Sequence, residues 1–278
     1  MLRTKNKLTV LHDDNSTFAD YSNESLDFDR DFFTMELSAA SDYLYIGFTK
    51  PISEIFFEIK NPNTVTATLD GEFYNGTTWT DLVGLYDETR SFKRSGYITW
   101  DRNQTDEAQV AVNSSTKNWV RFRPSVDLSV TIFAGINIIF ASDRDLKGEF
   151  FEIGQFLPKG ADSHILTHVA ARDEIIQYLR NGGHFKQDLN TGRLKDITAF
   201  DLLDLGQIKQ PAINLTLSKI FSNASDQVDD NWSEKASHYR SLYNASMKLF
   251  YLDIDSDDDG KQDDEERMAP AGSRIIRR

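Results

Sequence analysis

The sequence contains no cysteine among its 278 residues. This absence excludes a disulfide framework, a thiolate zinc site and a cysteine nucleophile. The chain also lacks an apolar run of about 18 residues, the length that a bilayer-spanning helix needs, and its start has no apolar segment typical of a signal peptide. We therefore expect a chain that is neither inserted in a membrane nor secreted, and that assembles in a reducing cytoplasm.

The sequence is also poor in catalytic motifs. It has no Gly-rich phosphate loop with Lys-Ser/Thr, no G-x-S-x-G elbow and no H-E-x-x-H pattern. His164 and His168 share one helical face, but a surface or core role is far more common for such a pair than a metal site. Carboxylate pairs are too plentiful in so acidic a chain to identify a general acid and base. The prediction is a protein without enzymatic activity.

The net charge is −13, which disfavours non-specific attraction to nucleic acid by the molecule as a whole. The charge is unevenly distributed. Residues 253–266 hold nine acids in fourteen positions, whereas residues 274–278 hold three arginines and no acid. The C-terminal end is therefore predicted to form a tail that is first acidic and then basic, with the basic end able to meet an acidic surface.

Residues 40–157 show short runs of β-forming residues separated by turn residues, with no helical period among them. This pattern predicts an antiparallel β-sandwich domain, preceded by an N-terminal extension over residues 1–39. The Asn75-Gly76 step lies between aromatic β-formers, because Tyr74 precedes it and Trp79 follows it. Since both residues of the step tolerate positive φ, the sequence predicts a hairpin there.

Residues 158–252 change to a helical period and predict a three-helix domain. The first helix lies within residues 165–183 and has Gly182 as its C-terminal stop, the second covers 197–222 with a break or kink near Gly206 and Pro211, and the third covers 230–250. The third helix carries an apolar stripe formed by residues Trp232, Ala236, Tyr239, Tyr243, Met247 and Phe250. The predicted fold class is thus α+β in two domains, with residues 253–278 as the acidic-then-basic tail.

The strongest local motif is the Asp-rich run from Asp255 to Glu266, which matches the calcium-loop pattern D-x-D-x-D-G followed by five residues and Glu. Its candidate ligands for Ca²⁺ are Asp255, Asp257, Asp259, the Lys261 carbonyl, Asp263 and Glu266. Gln262 stands where an apolar residue normally anchors such a loop, and Pro270 prevents a long exit helix. A bound divalent cation and a solvated acidic linker therefore both remain open.

The helical half resembles the head-to-tail connector (adaptor) proteins that stack beneath the portal ring of tailed phages. The resemblance covers roughly residues 160–278 and is carried by residues 170–179, 197–204, 213–221, 232–240 and 249–255, together with the Gly260 loop and the basic C-terminus. The β-rich segment is similar to domains found beside such helical units in some phages, notably at residues 96–101 and 141–146. These patterns are diffuse rather than invariant signatures.

This resemblance implies a structural virion protein at the head–tail junction, without enzymatic activity. It implies a homo-oligomeric ring, commonly of twelve copies, that binds the portal protein, contacts tail or neck proteins, and lets packaged DNA pass through its lumen without sequence-specific binding. The C-terminal extension would dock on the portal. Its candidate docking residues are Arg267, Arg274, Ile275, Ile276, Arg277 and Arg278.

A second interpretation belongs to another functional class. The sandwich could be a carbohydrate- or receptor-binding module on a phage particle, docked by the helical half. Four aromatic residues would then stack on sugar rings: Tyr74, Trp79, Tyr86 and Trp100. Aromatic residues in strands are more often core or cross-strand partners than sugar ligands, which favours the connector interpretation.

Overall fold

A computed structural model gives the fold. It describes residues 8–26, 32–49, 52–101, 107–161, 163–182, 185–187, 194–202, 205–225 and 231–248. The chain divides into two compact units, Met1–Ile138 and Ile139–Arg278. The strands pair antiparallel throughout the described ladders, and the helices follow in the second unit. The predicted mixture of α and β structure with antiparallel sheets is therefore confirmed.

The first unit contains a seven-stranded sheet in the order β2-β1-β4-β11-β6-β7, with β10 paired to β11 at one end. Its strands are β1 (Thr9–Asp14), β2 (Thr17–Asp20), β4 (Tyr43–Phe48), β6 (Leu69–Tyr74), β7 (Trp79–Asp81), β10 (Gln109–Val112) and β11 (Ser115–Pro124). β11 is central, because β4 and β6 flank it on its two sides. Every second side chain of β11 therefore lies on the same face of the sheet.

A five-stranded sheet in the order β3-β12-β5-β9-β8 completes the first unit. Its strands are β3 (Phe33–Met35), β5 (Glu54–Asn61), β8 (Tyr86–Asp87), β9 (Gly96–Thr99) and β12 (Thr131–Asn137). The two sheets meet through aromatic side chains: the ring of Phe57 on β5 lies 6.4 Å from that of Phe122 on β11. Phe92 and Phe133 pack on Phe57, and all four rings are buried. Burial of such rings supplies much of the stabilisation of this unit.

The strands begin earlier than the sequence analysis expected. β1, β2 and β3 lie inside residues 1–39, the expected N-terminal extension, and β1 pairs with β4 within the seven-stranded sheet. At their other end the long strands stop at Asn137, well before residue 157. The early strands were missed because buried and exposed residues do not alternate along β1. Val10, Leu11 and His12 are all buried, so the two-residue period of a half-buried strand is absent there.

The hairpin predicted at Asn75-Gly76 is confirmed, because Tyr74 of β6 pairs with Trp79 of β7. Its turn is longer than the Asn-Gly step alone. The Asn75 N–H donates to the Thr78 carbonyl at 3.0 Å, and the Asn75 side-chain oxygen accepts from the N–H groups of Thr77 and Thr78. Within this turn, positive φ falls on Gly76 alone (+95°), whereas two-residue type I′ turns need it at both positions.

The second unit contains α1 (Asp143–Glu149), α2 (Ile165–Asn181), α3 (Gly206–Ala224) and α4 (Asn231–Lys248). Short 3-10 segments at Phe151–Phe156 and Ala199–Asp201 and a two-stranded hairpin of β13 (Phe185–Gln187) and β14 (Leu194–Asp196) accompany them. The three helices expected from the sequence correspond to α2, α3 and α4. α1 is additional: a helix of seven residues is too short to show a helical period, and its start is fixed by a capping box at Ser142 and Asp145.

α3 begins at Gly206, where the sequence predicted an interruption, but it continues through Pro211. The helix is buried on several sides, and the packing of residues such as Ile208, Leu215 and Phe221 holds it together despite the missing proline N–H. None of the described helices is both long and apolar enough to cross a membrane.

Candidate functional site

The second unit carries an open groove between α2, α3 and α4, with a volume of about 1300 Å³. Its lining residues are Leu166, Thr167, Ala170, Ser218, Lys219, Ser222, Asn223, Ala236, Ser237, Arg240, Ser241, Asn244, Ala245 and Lys248. Alanine and serine make up half of them, so the helix backbones lie close to the groove surface. The charged lining residues are all cations, and the groove is therefore basic on a chain whose net charge is −13.

α4 presents one face to this groove and another to the core. Ser237, Ser241, Asn244 and Lys248 step by four and three residues, so they share a face, and all four are exposed. On the core side, Tyr243 and Met247 are buried, as the apolar stripe predicted. The small polar stripe on α4 is the sequence signal that could have indicated the groove.

Glu174 of α2 ties the three groove helices together. Its Oε2 lies 2.6 Å from Lys219 Nζ of α3, and its Oε1 lies 2.6 Å from Arg240 NH1 of α4. Burial by itself would raise the pKa of the Glu174 carboxyl, but hydrogen bonds from these two cations and their charges outweigh burial and hold the pKa below its usual value. Glu174 is thus a carboxylate at neutral pH and fixes both cations at the groove.

An aromatic cluster supports α4 behind the groove. Trp232 and Tyr239 of α4 stack on Phe221 of α3, each with ring centroids 5.7 Å apart. Lys235 Nζ lies 4.7 Å from the Trp232 ring centroid, a cation–π contact. Burial raises the pKa of Tyr243 to about 12, so its hydroxyl stays neutral. The aromatic side chains behind the groove are therefore packed against one another.

His164, the N-cap residue of α2, and His168 in its first turn are both buried. His168 Nε2 lies 3.0 Å from Asp143 Oδ1, and the His164 N–H donates to the same carboxylate. Burial alone would raise the pKa of the Asp143 carboxyl. The hydrogen bond and charge of His168, and then the backbone hydrogen bond from His164, outweigh burial and hold this pKa below its usual value. Across the described ranges, no three or more His, Asp or Glu side chains are grouped so that they could hold a metal ion.

A second candidate surface lies on the seven-stranded sheet, on the face opposite Phe122. The guanidinium of Arg121 lies between the rings of Tyr43 and Trp79, 4.1 Å and 4.2 Å from their centroids. Its Nε donates to Glu72 Oε2 at 2.7 Å, and NH1 donates to the Tyr45 hydroxyl at 3.2 Å. Two stacked rings and two polar partners hold this guanidinium in place.

The four aromatic residues considered for sugar stacking are not brought together. Tyr74 and Trp79 are neighbours on the β6–β7 hairpin, with ring centroids 5.7 Å apart. Tyr86 is exposed on β8, at the edge of the other sheet, and Trp100 is buried against Phe122. Arg121 already occupies one face of Trp79. Trp100 is therefore a core residue, which corrects its assignment as a stacking partner.

The C-terminal candidates lie outside the described residues. This applies to the proposed Ca²⁺ ligands Asp255, Asp257, Asp259, Lys261, Asp263 and Glu266, and to the proposed portal-docking residues Arg267, Arg274, Ile275, Ile276, Arg277 and Arg278. Both assignments stay predictions of the sequence.

No family model and no curated protein sequence matches the chain. Among solved structures, it is similar to the structure described as CpGH89CBM32-6 produced by Clostridium perfringens, with 19% identity over 49% of this chain and 94% of that one and a TM-score of 0.30. It is also similar to chitosan-binding module 1 of a chitosanase/glucanase from Paenibacillus sp. IK-5, with 12% identity, coverage of 47% and 93%, and a TM-score of 0.29.

A third similar structure is a family 89 glycoside hydrolase from Clostridium perfringens, with 10% identity over 76% of this chain and 26% of that one and a TM-score of 0.30. Because these TM-scores lie well below 0.5, they do not establish a shared fold. No ligand or activity is therefore assigned to this chain from its similarity to these proteins.

Proposed function

We propose that the chain is a non-enzymatic structural subunit of a tailed-phage particle, a head-to-tail connector that forms a ring beneath the portal. In this proposal the first unit is a β-sandwich domain, and the second is the helical domain that assembles with other copies and with the portal. The single observation that supports it best is the groove between α2, α3 and α4. A set of helices that leaves an open, small-residue groove is suited to receive a segment of a partner.

The charge distribution of the second unit agrees with this proposal. The groove is basic, whereas the chain as a whole is strongly acidic, so the groove gives like-charged copies a surface at which association lowers repulsion. The acidic remainder suits a lumen through which DNA slides without binding. Partners in this proposal are the portal protein, tail or neck proteins, and further copies of the chain at the virion's head–tail junction.

The experiment that tests the proposal is reconstitution of the full-length chain with the portal protein of the same phage, followed by electron microscopy of the complex. We expect a ring of added density on the tail side of the portal. A chain that folds, as judged by circular dichroism, but never joins portals over a range of concentration and salt would contradict the connector assignment.

The second candidate is a glycan- or receptor-binding role of the first unit. It is favoured by one observation, the adjacent and partly exposed rings of Tyr74 and Trp79 at the hairpin end. A glycan array tests it, with Tyr74→Ala as the site variant and Tyr86→Ala as the matched control on the other sheet. Specific binding that Tyr74→Ala abolishes and Tyr86→Ala preserves would support this candidate, and an array without binding would contradict it.

A further inference from the structure

We infer that the basic groove of one copy binds the acidic segment, residues 253–266, of a neighbouring copy. This inference rests on the proposed connector function, because it supplies the contact that would join subunits into a ring. The groove and the acidic segment are two complementary surfaces carried by one chain.

Charge is the first argument. Lys219, Arg240 and Lys248 line the groove, and no acidic side chain is among its described lining residues. Glu174 offsets part of the positive charge of Lys219 and Arg240, whereas Lys248 lies outside that ion-pair network and is exposed. Residues 253–266 carry nine acids in fourteen positions. An acidic segment in the groove would thus exchange repulsion between its own carboxylates for attraction to Lys248 and to the part of the charge of Lys219 and Arg240 that Glu174 does not offset.

Dimensions are the second argument. The groove runs along α4 from Ala236 to Lys248, a distance of about 18 Å at the rise of an α-helix. Fourteen residues in extended form reach about 46 Å, so the acidic segment is long enough to fill the groove completely. The small groove residues Ser237, Ser241 and Ala245 leave space for a peptide backbone next to α4.

The position of Lys248 favours a neighbouring copy over the same chain. Lys248 is the last residue of α4 and also lines the groove, and only four residues separate it from Asp253 in the sequence. The acidic segment could therefore fill the groove of its own copy along α4 only if the chain turned back against the direction of that helix. Donation to the next copy needs no reversal and repeats head to tail, the type of interface that closes into a ring when its rotation allows.

Nucleic acid fits the groove less well. Duplex DNA carries a phosphate charge every ~1.7 Å of its axis, and proteins that bind it firmly neutralise about 6–10 phosphates. Three cations over the length of α4, two of them already paired with Glu174, fall short of that number. Loss of duplex-DNA binding, instead of loss of self-association, on reversal of the groove charges would indicate that DNA is the ligand.

A charge-swap experiment on the full-length chain tests the inference. The groove-reversed variant is Arg240→Glu with Lys248→Glu. The segment-reversed variant replaces Asp255, Asp257, Asp258, Asp259, Asp263 and Asp264 by lysine, which with Lys261 gives seven cations against the three remaining acids of residues 253–266. Self-association is measured by sedimentation velocity over a range of salt. Lys147→Glu on α1 is the control, because Lys147 is exposed, outside the groove and gives an equal charge change per site.

We expect each reversed variant alone to self-associate at least about tenfold more weakly than the wild type, and the control to match the wild type. An equimolar mixture of the two variants should recover association, because the acidic groove of one variant can then bind the basic segment of the other. Arg240→Glu places a second acid beside Glu174, so Lys248→Glu alone serves as the variant that keeps the helix contacts. Thermal melts by circular dichroism verify that each variant is folded.

Four results would overturn the inference: a wild type that stays monomeric at every concentration, reversed variants that associate normally, a mixture that does not recover, or a groove reversal that removes duplex-DNA binding instead of self-association. The connector proposal is judged separately by portal attachment. Variants that attach to portals in normal rings would therefore refute the groove contact and leave the connector proposal intact.

Discussion

Glu174 on α2 lies 2.6 Å from the guanidinium of Arg240 on α4, and the same carboxylate lies 2.6 Å from Lys219 on α3. One side chain thereby joins three helices at the edge of the groove. Because the groove depends on the relative positions of these helices, this ion-pair network both stabilises the second unit and fixes the two cations that we propose to meet an acidic segment.

Glu174→Gln should destabilise the second unit in a pH-dependent way. The pKa of Glu174 is lowered in the folded protein, so its contribution is present above the unfolded pKa of about 4.3 and is lost as pH falls through the folded value. Since the partners are partly exposed, we expect a loss of roughly 0.5–1 kcal/mol at pH 7 and none near pH 3. Urea unfolding followed by far-ultraviolet circular dichroism measures it. Glu152→Gln, at an exposed position, is the control, and an equal loss at both pH values would contradict the ion-pair explanation.

Gly47→Ala should destabilise the first unit because the added methyl has no space. Gly47 of β4 pairs with Trp119 of β11, and a Cβ atom at Gly47 would lie 2.5 Å from the Trp119 ring. Trp119 is buried, and its indole N–H donates to the Val110 carbonyl at 3.0 Å, so the ring cannot move without losing that bond. We expect a loss of about 1–3 kcal/mol in urea unfolding followed by tryptophan fluorescence.

Gly154→Ala provides the control for this prediction, because nothing lies within 4 Å of a Cβ at that position. It should leave stability within about 0.5 kcal/mol of the wild type. Equal effects of the two substitutions would show that the loss at Gly47 comes from the backbone rather than from contact with Trp119.

The sequence predicted the elements whose signals are local. The β6–β7 hairpin follows from Asn75 and Gly76, and α4 follows from an apolar stripe that places Tyr243 and Met247 in the core. It did not predict that β1 joins the sheet beside β4, because strand pairing depends on partners distant in sequence. Glu174 and Arg240 were likewise missed, since nothing in an acidic chain marks which of many charged residues will meet across helices.

Arg121→Lys should destabilise the aromatic face of the seven-stranded sheet. A lysine keeps the charge but loses the planar group that stacks between Tyr43 and Trp79 and the second donor to Tyr45. We expect a loss of about 1–2 kcal/mol in urea unfolding. Arg123→Lys is the matched control two residues along the same strand, where the guanidinium lies 5.2 Å from the Tyr43 ring centroid. A smaller effect at Arg121 than at Arg123 would contradict the stacking argument.

Asp257→Asn should weaken calcium binding to the full-length chain if the Asp-rich run holds a cation. In the calcium-loop pattern that begins at Asp255, Asp257 is a ligand position and the adjacent Asp258 is not, although both carry the same charge. Isothermal titration calorimetry with Ca²⁺ should therefore show that Asp257→Asn lowers the affinity by about tenfold or more, whereas Asp258→Asn changes it little. A diffuse acidic linker attracts cations by its total charge, so the two substitutions would then have equal and small effects. Titration with Mg²⁺ gives a further distinction, since Mg²⁺ demands a stricter octahedral geometry and keeps its water. Heat that is absent with both cations, or that is the same for both variants, would leave the solvated linker as the explanation of this segment.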